Sequence, residues 1–311
     1  MSCSEKYRII HETRYRYATS VHLSQHLLRL TPRPCAWQTC AGHRIDIEPR
    51  PTERVEREDY FGNRVVQIAL EAPHEELLVY AESVVFVAPH APMVDRTASW
   101  PWERVRQAII QSPTTADFDA AQFAFASPHV QPTAEFQEFA RPSFGRGRPV
   151  LEAVRDLTER IYEQFEFDRE ATSVATPAAE VLRQRRGVCQ DFAHLQIACL
   201  RATGLAARYV SGYILTTPPP GQPRLVGADA SHAWVSVFVP DLGWIDFDPT
   251  NNVMPDTRHI TLAWGRDFGD ISPLRGLILG GGAHELEVRV SVLPLAEAEK
   301  PFAGWLARRA M

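Results

Sequence analysis

Long apolar runs are missing from this 311-residue chain. No uncharged hydrophobic stretch approaches the roughly 18 residues that a membrane-spanning helix needs. The opening segment, MSCSEKYRIIHETRYRYATS, has no apolar core of the kind a secretory signal carries. Both absences lead to the expectation of a soluble, cytoplasmic protein. Cysteine is scarce: Cys3, Cys35, Cys40, Cys189 and Cys199 are odd in number and irregularly placed. A disulfide framework is therefore not expected. Cys35 and Cys40 lie close together, but no second pair follows to complete a zinc site. A dominant charge is also absent, since 33 basic residues stand against 38 acidic ones for a net −5. Without a Lys/Arg-rich run, a phosphate backbone has nothing to bind, which excludes nucleic acid as the expected partner. No internal repeat is visible, so a solenoid is excluded as well.

What remains is an ordinary globular mixture, 45% hydrophobic and 23% charged, able to form a packed core. The length suits one large domain or two of usual size. From about residue 5 to 88 the chain reads as β structure. YRIIHETRYRYA, HLLRLTP, HRIDIEP, RVVQIAL and LLVYAESVVFVA are short β-branched and aromatic runs, broken by Pro, Gly and Asn. DYFGNRV reads as a turn between two strands, with Gly62 and Asn63 able to take positive φ. A small sandwich or barrel over 1–88 is expected. Residues 89–148 read as a connecting region, with loops at APHAPM and SPTTADFD and short helices at WERVRQAII and AEFQEFAR. RPSFGRGRP is the expected flexible joint.

Helical periodicity follows. Val150, Val154, Leu157 and Ile161 share a face, and Pro149 suits a helix start. PAAEVLRQRRG is a second helix, and VCQDFAHLQIACLRATG a third, apolar on more than one face and hence buried. The chain then returns to strands in AARYVSGYILT, SHAWVSVFVP, GWIDFDP, HITLAW and HELEVRVSVLP. Strands after helices indicate an α+β domain over 149–295, with a tail from 296 to 311.

Three residue types needed for nucleophilic acyl transfer occur in order. Cys189 opens the buried helix, where unpaired N–H groups and the dipole favour a thiolate and an oxyanion. Arg183, Arg185 and Arg186 add positive charge nearby or are simply solvated. Taken alone, Cys189 reads equally as a core cysteine, and Cys199 reads as core outright. His232 starts an alternating strand whose other face carries Ala233, Val235, Val237 and Val239. A lone histidine there is more often a satisfied, half-buried one. The turn at PDLG, however, brings GWIDFDPT alongside as an antiparallel partner. Asp246 and Asp248 share a face of it, and either can approach the imidazole. Thiol, base and orienting carboxylate make up the set that such chemistry requires.

At these residues the sequence resembles the bacterial transglutaminase-like cysteine proteases. GVCQDFAHL, DASHAWVSVFV and GWIDFDPTN carry the likeness, with LRATGLAARYVSGY and DREATSVATPAAEVLRQRRG beside them. YRIIHETRYRYATSV, LRLTPRP and DYFGNRV resemble the β domain that precedes this core, and RHITLAWGRDFGDISPLRGLI continues the match. The resemblance implies a papain-like, transglutaminase-like α+β core preceded by the β domain. It implies nucleophile Cys189, base His232 and orienting Asp248, the aspartate that precedes Pro, with Asp246 as a neighbour. Asp191 is then a helix-start acid and His194 a packing residue, rather than a metal set with Cys189. The expected activity is hydrolysis of peptide or isopeptide amide bonds through a thioester, with a protein or peptide substrate and neither cofactor nor metal. Amine-dependent acyl transfer is the alternative within enzymes, and a protein-binding module on the same scaffold the alternative outside them.

Overall fold

A computed structural model of the chain describes residues 4–90, 96–112, 114–216 and 231–295. The expected tail from 296 lies outside the described residues, as does part of APHAPM.

The N-terminal β domain is built on one long strand, β1 (Glu5–Leu28). Around it lie β2 (Gln38–Glu48), β3 (Glu53–Glu58), β4 (Arg64–Leu70) and β5 (His74–Val87), in the order β2-β5-β1-β4-β3. Two runs that read as separate strands in the sequence, YRIIHETRYRYA and HLL, are thus one strand. It can be this long because its partners change along its length. Residues 5–16 pair with β5 and residues 24–28 with β4, with a register break between Arg16 and Val21. On its other side β1 takes two strands from the far end of the chain. These are β12 (Leu274–Gly280), against Val21–Leu28, and β13 (His284–Pro294), against Tyr7–Tyr17. One seven-stranded sheet results, and residues 274–294 belong to it rather than to the sheet of the α+β core.

The turn at DYFGNRV forms between β3 and β4 and uses one of the two residues able to take positive φ. Gly62 takes φ +73°, but Asn63 does not take positive φ. Asp59 Oδ1 instead accepts the N–H groups of Phe61 and Asn63 at 3.0 and 2.9 Å, which frees the Asn63 side chain to turn inwards.

Three helices, α1 (Trp102–Gln111), α2 (Thr115–Ala121) and α3 (Ala134–Ala140), lead into the core. SPTTADFD, read as a loop, contains the start of α2. Thr114 Oγ1 accepts from Asp117 N–H at 3.1 Å, and the Asp117 carboxylate accepts from Thr114 N–H at 3.2 Å. That reciprocal cap supplies the helix-start stability which a short helix lacks by propensity. RPSFGRGRP, read as a flexible joint, is tied to the start of α1 by hydrogen bonds. Gly145 carbonyl accepts both Arg148 N–H (3.1 Å) and Trp102 Nε1–H (3.0 Å), and Gly147 N–H donates to Glu103 (2.9 Å).

The core contains α4 (Val150–Gln164), β6 (Glu166–Phe167), α5 (Ala178–Gln184), β7 (Arg186–Gly187) and α6 (Cys189–Ala202). A four-stranded antiparallel sheet follows, in the order β10-β9-β8-β11. Its strands are β8 (Ala207–Ile214), β9 (Ser231–Val239), β10 (Gly243–Phe247) and β11 (His259–Gly265). The short α7 (Phe268–Ile271) precedes β12. Val150, Val154, Leu157 and Ile161 are fully buried, as the helical period predicts.

Both faces of the small sheet are covered. Ala233, Val235, Val237 and Val239 share one apolar cluster with α6. On the opposite face Arg208 is stacked between Trp244 and Trp264, at 4.1 and 3.8 Å, and Arg33 lies over Trp264 at 3.6 Å. Cation–π contacts of this kind gain strength where water is excluded.

The β domain docks on the outer edge of β11 through two side-chain amides. Gln38 Nε2 donates to Thr261 carbonyl at 2.7 Å, and its Oε1 accepts Thr261 N–H at 2.8 Å. Asn63 does the same with Trp264, at 2.9 and 3.0 Å. Edge groups that would otherwise be buried without partners are thereby satisfied.

Candidate active site

Cys189 is the first residue of α6, and the local sequence G-V-C-x-D explains how it is placed. Asp191 reaches back over the first turn to accept Val188 N–H at 2.8 Å. It also accepts Thr172 Oγ1–H at 2.6 Å. Gly187 is required for this, because a Cβ there would lie 2.7 Å from Asp191 Oδ2. Burial raises the Asp191 carboxyl, and these two hydrogen bonds oppose it. The sulfur-bearing residue at the mouth of the turn keeps intermediate exposure. Cys199 is fully buried, and burial pushes its thiol far up.

The three arginines ahead of α6 are directed elsewhere. Arg183 pairs with Glu180 at 2.9 Å, Arg185 lies over Phe139 and Phe165, and Arg186 is 3.7 Å from Asp168. His194 also stands apart from the sulfur's chemistry, since its Nε2 accepts Phe268 N–H at 3.1 Å. It is a packing residue that ties α6 to α7.

His232 begins β9, and Asp248 follows β10 at the same end of the sheet. The imidazole Nε2 lies 2.7 Å from Asp248 Oδ2. The Cys189 sulfur also acts on the ring, raising its pKa. With Nε2 turned to the carboxylate, Nδ1 is the nitrogen left for the sulfur. Burial alone would lower the His232 pKa. The Asp248 charge, the Asp248 hydrogen bond and the Cys189 sulfur outweigh it and raise the value to about 10. Burial alone would likewise raise Asp248, but the His232 charge, its hydrogen bond and a further one from His259 hold it well below the usual carboxylate range.

Asp246, the other aspartate on the strand, lies opposite Ser236 and accepts Trp234 Nε1–H at 3.0 Å. It does not meet His232. The structure therefore brings Cys189, His232 and Asp248 together and leaves Asp246 beside them.

Two further residues complete the surroundings of Asp248, and sequence reasoning missed both. Asn251 Nδ2 donates to Asp248 Oδ2 at 2.7 Å and lies 3.3 Å from His232 Nε2. His259 Nε2 reaches the same Oδ2 at 3.1 Å. The other oxygen, Oδ1, accepts the N–H groups of Thr250 and Asn251 at 2.9 and 3.2 Å. His232, Asp248 and His259 bring their ligand-type atoms within 4.8 Å of one another. In this arrangement, however, the two imidazoles and Asn251 all donate into Oδ2, a hydrogen-bond pattern rather than a set of free lone pairs facing a common point.

The fold is that of the transglutaminase-like superfamily. A family model described as the transglutaminase-like superfamily matches residues 137–249, and one described as the bacterial transglutaminase-like N-terminal region matches residues 7–86. The chain belongs to the bacterial transglutaminase-like family. An uncharacterized Mycobacterium tuberculosis protein is 40% identical over 301 residues, covering 94% of each chain. A Mycobacterium leprae protein, also uncharacterized, is 33% identical over 298 residues, covering 93% of this chain and 99% of that one. The protein-glutamine gamma-glutamyltransferase of Pseudomonas aeruginosa is 27% identical over 150 residues, 43% of this chain and 22% of its own. Among solved structures, a candidate cysteine protease from Cytophaga hutchinsonii has the same fold, with a TM-score of 0.72 and 22% identity. It covers 94% of this chain and 92% of its own. No helix among the described residues is long and apolar enough to cross a membrane.

Proposed function

We propose that the protein is a cysteine-nucleophile hydrolase of peptide or isopeptide amide bonds, working through a thioester. The observation that carries this reading is the placement of His232 between the Cys189 sulfur and the Asp248 carboxylate. An imidazolium beside the sulfur favours negative charge on it electrostatically. The sulfur attacks the substrate carbonyl, and the oxyanion that forms meets the N–H groups at the start of α6. On collapse the C–N bond breaks, and His232 gives its proton to the departing amine. Water then attacks the thioester, His232 takes a proton from it, and the sulfur leaves as the acid is released. Asp248 keeps Nε2 occupied throughout, so that Nδ1 serves the sulfur.

Amine-dependent acyl transfer shares every step up to the thioester. The partial likeness to the Pseudomonas aeruginosa protein-glutamine gamma-glutamyltransferase favours it as the second reading. Profiling against a peptide and isopeptide library, with and without a primary amine, separates the two. Hydrolysis predicts cleavage that is indifferent to the amine, whereas transfer predicts incorporation of the amine. In either case Cys189→Ala abolishes turnover. Cleavage that survives in that variant would refute both.

A further inference from the structure

The reading above gives Asp248 one imidazole to orient, yet its carboxylate serves two. His259 begins β11, beyond the segment that the superfamily model matches. It sends Nε2 to the same Oδ2 that holds His232. The ring is almost completely buried and stands edge-on to Trp234, at 5.3 Å and 79°. Trp234 is itself fixed through its Nε1–H on Asp246. The backbone of His259 is held as well, since its N–H donates to Asp256 carbonyl at 2.9 Å. Two residues on, Thr261 carries the paired bonds from Gln38.

The two imidazoles differ at their second nitrogen. His232 has the Cys189 sulfur acting on its ring in addition to its bond to Asp248. His259 Nδ1 is buried with no hydrogen-bond partner among the described residues. Asp246 Oδ1 is also buried without a hydrogen-bond partner among the described residues. Titratable groups surround the His259 ring. They are Cys189 on α6, Asp246 and Asp248 at β10, Asp256 before β11, and His90 after β5. His90 stacks on Trp37 at 4.6 Å, and its backbone N–H is bonded to Asp256. Burial lowers the His90 imidazole, so it adds no positive charge at neutral pH.

We propose that His259 is a positioning residue of this site, an Nε2–H donor that fixes Asp248 Oδ2, the carboxylate oxygen that also holds His232. The inference rests on the proposed function for its purpose, but its geometry stands apart from that function. By donating to Oδ2 beside His232 and Asn251, it helps to stop the carboxylate from swinging. The β domain enters the site through this route, since Gln38 holds the stretch of β11 that carries His259.

Ring ¹H–¹⁵N spectra of the full-length protein, recorded from about pH 5 to about pH 10, read both imidazoles directly. The expected result is a doubly protonated His232 at neutral pH and a His259 that carries a proton on Nε2. A neutral His259 whose proton sits on Nδ1 instead would overturn the proposal. The variants His259→Phe and His259→Gln test its consequence through acetylation of Cys189 by p-nitrophenyl acetate. Phe, which lacks the donor, is expected to slow acetylation about tenfold or more and to shift the titration of His232. Gln, which can still donate to Asp248, is expected to restore most of both. Equal slowing in the two variants with an unmoved His232 titration would mean that His259 only packs, and would also overturn it. If wild-type protein is not acetylated at Cys189, the functional reading fails while the spectra still decide the role of His259. If neither variant folds, the wild-type spectra alone carry the test.

Discussion

Gln38 and Thr261, 223 positions apart, exchange two hydrogen bonds as though both were strand residues. A side-chain amide has a donor and an acceptor spaced like those of a peptide group, so it can close the edge of a sheet without adding a strand. Asn63 repeats the device at Trp264. The two amides make the β domain part of the wall behind the candidate site.

Gln38→Leu should therefore cost more than a surface change. It removes a buried amide and leaves Thr261 N–H without an acceptor, a loss of about 2–4 kcal/mol. Urea unfolding checks this. A change within experimental error would mean that the docking is held by Asn63 and the arginine–tryptophan stack without Gln38.

Gly187→Ala should disturb the start of α6, because the new Cβ meets Asp191 Oδ2 at 2.7 Å and Asp191 Cβ at 2.9 Å. A destabilisation of about 1–3 kcal/mol is expected. Asp191→Ala loses the bonds to Val188 and Thr172 but also removes the obstacle. The double variant should then cost less than the sum of the two single changes. Strict additivity in a double-mutant cycle would show that the two residues do not share this packing.

Stability should depend on pH in a way traceable to His232 and Asp248. The His232 value is raised to about 10, so its contribution is fully present below the unfolded value of about 6.5 and is lost as pH rises through about 10. The Asp248 value is depressed, so its contribution is present above the unfolded value of about 3.9 and is lost as pH falls towards the folded one. Comparing His232→Phe with wild type in urea at a series of pH values isolates the alkaline loss. The difference between the two proteins should shrink towards alkaline pH; a constant difference would contradict the assignment.

The three candidate residues were legible because each stands in a contiguous motif at the start or end of an element, in the order the proposed chemistry requires. Alternation could not choose between Asp246 and Asp248, since both fall on one face of a strand. The resemblance named Asp248, and pairing of Asp246 with Ser236 explains why the other aspartate is out of reach. His259 and Asn251 lie in segments already noted for their likeness, but nothing periodic marks a residue whose role is to donate to another side chain. Gln38 and Asn63 were hidden for the same reason. The strand β3, ERVERE, is exposed along its whole length and so lacks any burial alternation to read. The cap of α2 was readable in principle, because Thr114 and Asp117 have the spacing of a reciprocal helix-start pair. The return of residues 274–294 to β1 depends on pairing across nearly the full chain, which local pattern does not encode.

Thiol alkylation should separate the two cysteines of α6. Iodoacetamide is expected to label Cys189 at least about a hundredfold faster than Cys199, which is buried and whose thiol burial pushes up. His232→Asn should slow labelling of Cys189 and leave Cys199 unchanged. Peptide mapping by mass spectrometry reads both, and equal slow labelling would argue against a poised sulfur at residue 189.

Intact-mass analysis after exposure to p-nitrophenyl acetate tests acyl transfer without knowledge of the natural substrate. The account predicts one acetyl group on Cys189 in wild-type protein, none in Cys189→Ala, and strongly slowed acetylation in His232→Asn and Asp248→Ala. Acetylation at the same rate in all four proteins, or at another residue, would contradict it.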